Sequence, residues 1–258
     1  MSADAIRNQL VDICHRLSAR GFVTATDGNV SARLGNGNFL TTRTAVGKGM
    51  VTPADILEVD AQGKPLSEGA RPSTELGMHL FIYSRRPDIN AVVHAHPTYA
   101  TGFAVAREPL STCVFPEVIL GLGSVPLADY ATPSTGEVAK SLEPYIEGAN
   151  AILLANHGVV AYGKDPLDAY FKMEKVEHAA HITFVARLLG GEKILSAEDV
   201  EKLRAISGQA YGLDPSGKLA CEPGEGRGAA STGPASDSPS PVDDILEVVR
   251  QMINRGAK

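Results

Sequence analysis

The run Ala91-Val92-Val93-His94-Ala95-His96-Pro97 constrains this chain more than any other stretch. It is short, apolar and β-branched, and it stops on two histidines with a single alanine between them. That composition predicts a buried strand. A strand repeats every two residues, so His94 and His96 project from one face, close enough to grip one ion. The rest of the chain must supply the sheet around this strand and whatever a metal site still lacks.

Other segments carry similar signals. Ile6, Leu10, Ile13 and Leu17 fall at helical spacing, which predicts an opening helix rather than a signal sequence. After Gly21, "GFVTATDGNVSARLGNGNFLTT" reads as two short strands joined by a turn, and "ILEVD" as a third strand. "STELGMHLFIYSRR" predicts a helix with Ser73 or Thr74 near its N-cap, and "AILLANHGVVAYG" another strand-like run. The longest amphipathic helix opens at Asp165 and Pro166. Strands and helices mix without a strict βαβ rhythm, so a mixed or antiparallel sheet flanked by helices is expected.

The 24 Lys and Arg against 30 Asp and Glu give a net charge of −6 and no basic run, which argues against nucleic acid as a partner. No stretch reaches the ~18 continuous apolar residues of a membrane span, and the expectation is a soluble, cytoplasmic protein with no membrane contact. Cys14, Cys113 and Cys221 show no paired spacing. Their odd count points to a reducing compartment, and all three read as structural or incidental thiols.

A catalytic zinc site commonly has three protein ligands and one open position. His94 and His96 supply two, and His157 in "LLANHGVV" is the best third, followed by a glycine that permits close approach. Each histidine taken alone reads equally as a hydrogen-bonded residue at a strand end. His178 and His181, beside Glu174 and Glu177, read as a solvated or interface surface rather than as competing ligands. Carbon chemistry at a metal also needs a proton carrier, and Glu75 stands near the start of its helix. Taken alone, Glu75 is an ordinary first-turn acid. The same helix start offers Ser73, Thr74 and free N–H groups where a phosphate could dock.

In the order GNVSAR, PSTE, VVHAHP and NHG, these pieces resemble the class II aldolase/adducin family from about residue 3 to about residue 215. The resemblance implies a three-layer α/β/α fold with a central mixed, largely antiparallel sheet. It further implies a homotetramer with active sites at subunit interfaces, one zinc ion per subunit, and a sugar-phosphate substrate. The implied reaction cleaves a ketose 1-phosphate, L-fuculose 1-phosphate, to dihydroxyacetone phosphate and L-lactaldehyde. Alternatives within the family are a 4-epimerase, a decarboxylase or dehydratase, and a non-catalytic adducin-like structural protein, a class that lacks the three histidines.

Position by position, the resemblance assigns His94, His96 and His157 to zinc. It makes Glu75 the acid/base and a metal ligand when substrate is absent. Asn29, Thr44, Ser73 and Thr74 match phosphate-binding positions, and Tyr211 matches a tail tyrosine that reaches a neighbouring subunit's site and assists proton transfer at the aldehyde. Two departures stand out. The family's phosphate loop usually ends in glycine, where this chain has Thr42-Arg43-Thr44-Ala45, leaving Arg43 or Lys48 to compensate with charge. A second interface tyrosine is replaced by Phe115, which has no hydroxyl, with Glu117 nearby.

Fifteen of the twenty residues from 222 to 241 are Gly, Pro, Ala or Ser, too little apolar area to offset ordering entropy. The expected organisation is therefore an aldolase domain over 1–215, a flexible linker over 216–241 and an amphipathic helix over 242–255. Val242, Ile245, Leu246, Val249, Met252 and Ile253 make one stripe of that helix, too short to be stable alone in water. Docking back onto its own domain is one outcome. A linker followed by a short amphipathic helix also resembles the encapsulation peptides of bacterial microcompartments, which implies a shell-protein partner and a place in the microcompartment lumen.

Overall fold

The computed structural model describes residues 2–211 together with Ala220, Cys221 and Pro223. The chain runs through helix α1 (Ala3–Ala19) and strands β1 (Asn29–Arg33), β2 (Phe39–Thr42) and β3 (Ile56–Val59). Helix α2 (Leu76–Arg85), strand β4 (Ala91–Ala95), helices α3 (Thr98–Val105) and α4 (Pro116–Gly121), strand β5 (Leu127–Ala128) and helix α5 (Gly136–Leu142) follow. Strands β6 (Ala151–Leu154) and β7 (Gly158–Gly163) and helices α6 (Pro166–Leu188) and α7 (Ala197–Tyr211) complete it.

The strands form one seven-stranded sheet in the order β3-β2-β1-β4-β7-β6-β5. Every pairing is antiparallel except β5 with β6. Helices α1, α3 and α6 cover one face and α2 and α5 the other, so the expected three-layer α/β/α fold with a mixed, largely antiparallel sheet is present.

The pleat explains the polar cluster. In β4, Ala91, Val93 and Ala95 enter the core under α1, α3 and α6, while Val92 enters the core under α2 and α5. His94 therefore shares the face of Val92. In β1, Val30 and Ala32 take the first core, which turns Asn29 and Ser31 toward α2 as well. Buried polar groups thus collect on one face at one end of the sheet, beneath the start of α2.

Three expectations are corrected by the fold. Helix α2 starts at Leu76 with Glu75 at its N-cap, one or two residues later than the expected cap at Thr74 or Ser73. Residues 71–73 cannot join the helix because they pair with the end of β2: Thr44 N donates to Arg71 O and Ser73 N to Thr42 O. The run "AILLANHGVVAYG" is not one strand but a hairpin, β6 and β7, turning at Ala155–His157 with Asn156 in the left-handed region (φ 57°). Asparagine tolerates that conformation better than most residues.

The third concerns the thiols. Cys113 and Cys221 form a disulfide, 108 residues apart, and only Cys14 is free among the described residues. The pair is buried with Ile119 of α4 and Val200 of α7, which brings the cysteines together across a separation that sequence spacing does not register. The chain is thereby tied to the domain as far as Cys221.

Candidate metal centre

Three pieces of backbone deliver the site. β4 carries His94 opposite Asn29 of β1 and Val160 of β7. His96 lies just past the end of the strand, before Pro97 at the N-cap of α3. The Glu177 carboxylate of α6 accepts hydrogen bonds from Tyr99 N (3.0 Å) and Ala100 N (2.8 Å), which fixes the chain just past His96. The β6–β7 turn carries His157. Gly158 follows it because a β-carbon there would lie 2.5 Å from His96 Cδ2 and 2.6 Å from Ala95 O.

The three imidazoles face one another, with ring centroids 4.7 to 5.0 Å apart and ligand atoms within 4.8 Å of each other. His96 Nε2 lies 3.1 Å from His94 Nε2. The Glu75 carboxylate closes the group, Oε2 at 3.4 Å from His94 Nε2 and Oε1 at 3.3 Å from His157 Nε2. His178 and His181 stay outside on the exposed side of α6, where the His181 ring stacks on Tyr99 at 3.9 Å.

Hydrogen bonding sets the tautomers. A carbonyl can only accept, so His94 Nδ1 donates to Val159 O at 2.9 Å and its Nε2 carries the lone pair. His96 Nδ1 points at Asp27 Oδ2, 3.7 Å away, in the same sense. Complete burial pushes the His94 pKa down to about 3, with Glu75 pulling the other way. Burial, then repulsion from His157, also lowers His96. Burial would raise Glu75. Its hydrogen bond to His157, the attraction of His94 and His157 and the Asn29 amide (2.8 Å) outweigh that and hold it well below the usual carboxylate range. The His94 lone pair, the facing ring nitrogens of His96 and His157 and an anionic carboxylate thus converge on one point. This donor set suits a divalent ion whose ligand atoms stand about 3.4 Å apart.

Residues 8–184 match the sequence model of the Class II Aldolase and Adducin N-terminal domain. The chain belongs to that family. It is 36% identical over 177 residues to the L-fuculose phosphate aldolase of Methanococcus maripaludis, covering 69% of this chain and 95% of the relative. It is 34% identical over 207 residues to the 3-oxo-tetronate 4-phosphate decarboxylase of Escherichia coli, covering 78% and 96%. A solved L-fuculose 1-phosphate aldolase superposes with a TM-score of 0.72 at 33% identity, covering 79% of this chain and 95% of its own.

In this class II aldolase chain the centre opens into a cleft of about 330 Å³ that brings Asn29, Thr44, Ser73, Thr74, Glu75, His96 and His157 together. His94 lies beneath them, fully buried. Asn29 is itself nearly buried, with its amide nitrogen on Glu75 rather than on the cleft wall. Ala45 stands at φ 57°, so the loop keeps the left-handed conformation expected of glycine despite its methyl group. Ala45→Gly should therefore stabilise the fold by about 0.5–1 kcal/mol, the strain relieved less the added entropy of the unfolded chain, read as a higher denaturation midpoint. Tyr211 is the last residue of α7. Phe115 stands at the N-cap of α4 and packs on the core, its ring perpendicular to that of His178 with centroids 6.4 Å apart.

Sequence reading missed Ser134 and His79. Ser134, at φ 63°, lines the cleft and donates to Thr74 Oγ1 at 2.8 Å. His79, one turn into α2 from Glu75, hydrogen-bonds Ser31 Oγ at 2.7 Å, and burial pushes its pKa down to about 4. A base whose folded pKa is depressed binds its proton more readily when unfolded, so stability is full above pH 6.5 and falls as pH drops toward 4. Between pH 7 and pH 5, His79 alone should cost about 2 kcal/mol, measured as a urea midpoint shift that His79→Gln diminishes.

Proposed function

We propose that this chain is a zinc-dependent aldolase that cleaves a ketose 1-phosphate, L-fuculose 1-phosphate, to dihydroxyacetone phosphate and L-lactaldehyde. The observation that carries the reading is the convergence of three imidazoles and the Glu75 carboxylate at the floor of a cleft walled by Thr44, Ser73 and Thr74. The convergence also weighs against a purely structural, adducin-like role.

His94, His96 and His157 would hold a zinc ion, which when bound would supply Lewis-acid stabilisation of the negative charge that develops as the C3–C4 bond breaks. Thr44, Ser73 and Thr74 hold the phosphate end, and Asn29 links that subsite to Glu75 through its amide. In the aldol-forming direction the Glu75 carboxylate removes a proton from C3 of dihydroxyacetone phosphate. In cleavage the same group returns that proton to C3 of the enediolate, as microscopic reversibility requires. The His94–Val159 hydrogen bond keeps the imidazole oriented throughout. Tyr211 of a neighbouring subunit exchanges the proton at the aldehyde oxygen. Exposed Phe184, Val185 and Leu188 on α6, with Leu189 at its C-cap, support a homotetramer by offering apolar surface to another copy.

A second reading is decarboxylation of a 3-oxo acid phosphate. The similarity to the decarboxylase over 207 residues and the loss of a hydroxyl at Phe115 favour it. Both reactions leave an enediolate beside a phosphorylated carbon, so the same residues serve either. Incubation with L-fuculose 1-phosphate and coupled detection of dihydroxyacetone phosphate is the test. Release of product supports the aldolase. Turnover of 3-oxo-tetronate 4-phosphate with release of carbon dioxide, and none of the ketose phosphate, selects the decarboxylase.

The linker over 216–241 and the helix over 242–255 lie outside the described residues apart from Ala220, Cys221 and Pro223. Their sequence supports a tether and an amphipathic targeting helix that places the enzyme in a microcompartment through a shell protein. Deleting residues 222–258 should leave turnover unchanged and abolish co-localisation with co-expressed shell proteins. Retained co-localisation contradicts this role.

A further inference from the structure

We propose that Lys48 is the cation that recognises the phosphate group of the substrate, reaching it from between the two loops that wall the cleft.

Lysine is seldom fully buried without a counter-ion, yet Lys48 is 2% exposed and makes no ion pair among the described residues. Its Nζ donates to Thr26 O and Val46 O, both at 2.9 Å. Thr26 belongs to the loop leading into β1, and Val46 to the loop leaving β2, so these bonds join the two walls. An ammonium has three N–H donors, and one remains for a ligand. Lys48 is one of the residues that line the cleft, with Thr44 and Ser73. Arg43, the other cation of that lining, is already committed to Asp55 at 2.5 Å.

Lys48 is thus a positive charge whose ammonium bonds only carbonyls, and the carboxylates that attract it, Asp27 and Glu75, line the same cleft as the hydroxyls without forming an ion pair with it. A charge held in this way is costly until an anion joins it. Burial lowers its proton affinity, and an arriving dianion would raise it again. The hydroxyls of Thr44, Ser73 and Thr74 give shape and hydrogen bonds but no charge, and Lys48 supplies what they lack.

The inference rests on the phosphorylated-substrate reading but not on which carbon–carbon bond breaks, because both candidate substrates carry a phosphate. The test uses the metal-loaded full chain and inorganic phosphate as the probe, titrated calorimetrically, with kcat and KM measured alongside. Lys48→Met is expected to weaken phosphate binding and raise KM by about 10- to 100-fold, with metal content unchanged and kcat moved much less. Lys48→Arg should recover part of the affinity. A purely structural staple would instead lower thermal stability and leave phosphate affinity as in the parent, which would overturn the proposal. If Lys48→Met does not fold, Lys48→Gln, whose amide can still reach the two carbonyls, gives the same comparison. A parent chain that binds phosphate and a folded variant that binds it equally well would refute the role of Lys48 alone. A parent chain that binds no phosphate would refute the substrate class as well.

Discussion

Glu75→Gln is expected to lower turnover by about 1000-fold while leaving the metal content of the chain largely intact. The substitution keeps the volume at the N-cap of α2 and removes only the proton-carrying function. His94, His96 and His157, within 4.8 Å of one another, are untouched by the change, so the three candidate ligands should persist. The Asn29 amide loses a charge-assisted acceptor at 2.8 Å, a local change that should cost no more than about 2 kcal/mol of stability. Steady-state kinetics with parallel metal analysis separates the outcomes. Unchanged turnover removes Glu75 from the chemistry, whereas loss of metal together with turnover makes it a ligand first and an acid/base second.

Gly158→Ala should be the most damaging single methyl group near the site. The backbone there is compatible with alanine, but the new β-carbon would sit 2.6 Å from Ala95 O and 2.5 Å from the His96 ring. Ala95 is paired with Val159 in the β4–β7 ladder, so its carbonyl cannot retreat without breaking sheet hydrogen bonds. The ring must move instead, and with it a candidate ligand. A cost of about 3 kcal/mol in stability is expected from the overpacking. A fall of about 100-fold in metal affinity should accompany it, because the position of His96 is then lost. Chemical denaturation and competitive metal titration check the two effects. A variant with parental values in both would show that Gly158 has no part in holding His96.

Much of the site was legible because strand periodicity is local. The alternation in "VVHAH" put His94 and His96 on one face before any partner strand was known. Their third partner was legible only as a type. His157 reaches them because β6 and β7 fold into a hairpin, paired so that Val159 lies opposite Ala95, and no local signal states that register. The start of α2 misled for a related reason. Ser73 and Thr74 are good cap residues, but pairing with β2 holds the preceding backbone extended and passes the cap to Glu75. The stretch from 98 to 150 stayed opaque, since its helices are short and α3 is capped by Glu177, far away in sequence. The Cys113–Cys221 bond, closed across 108 residues, depends on how α4 and α7 pack.

His94, His96 and His157 are together expected to hold one divalent ion on which the reaction depends. Metal analysis of the dialysed chain, run beside His157→Ala and paired with activity before and after exhaustive chelation, tests it most directly. One tightly held ion per chain is predicted, absent from the variant, with activity lost on chelation and restored by zinc. A chain that holds no ion and turns over at full rate after chelation would rule out a metal centre at these histidines.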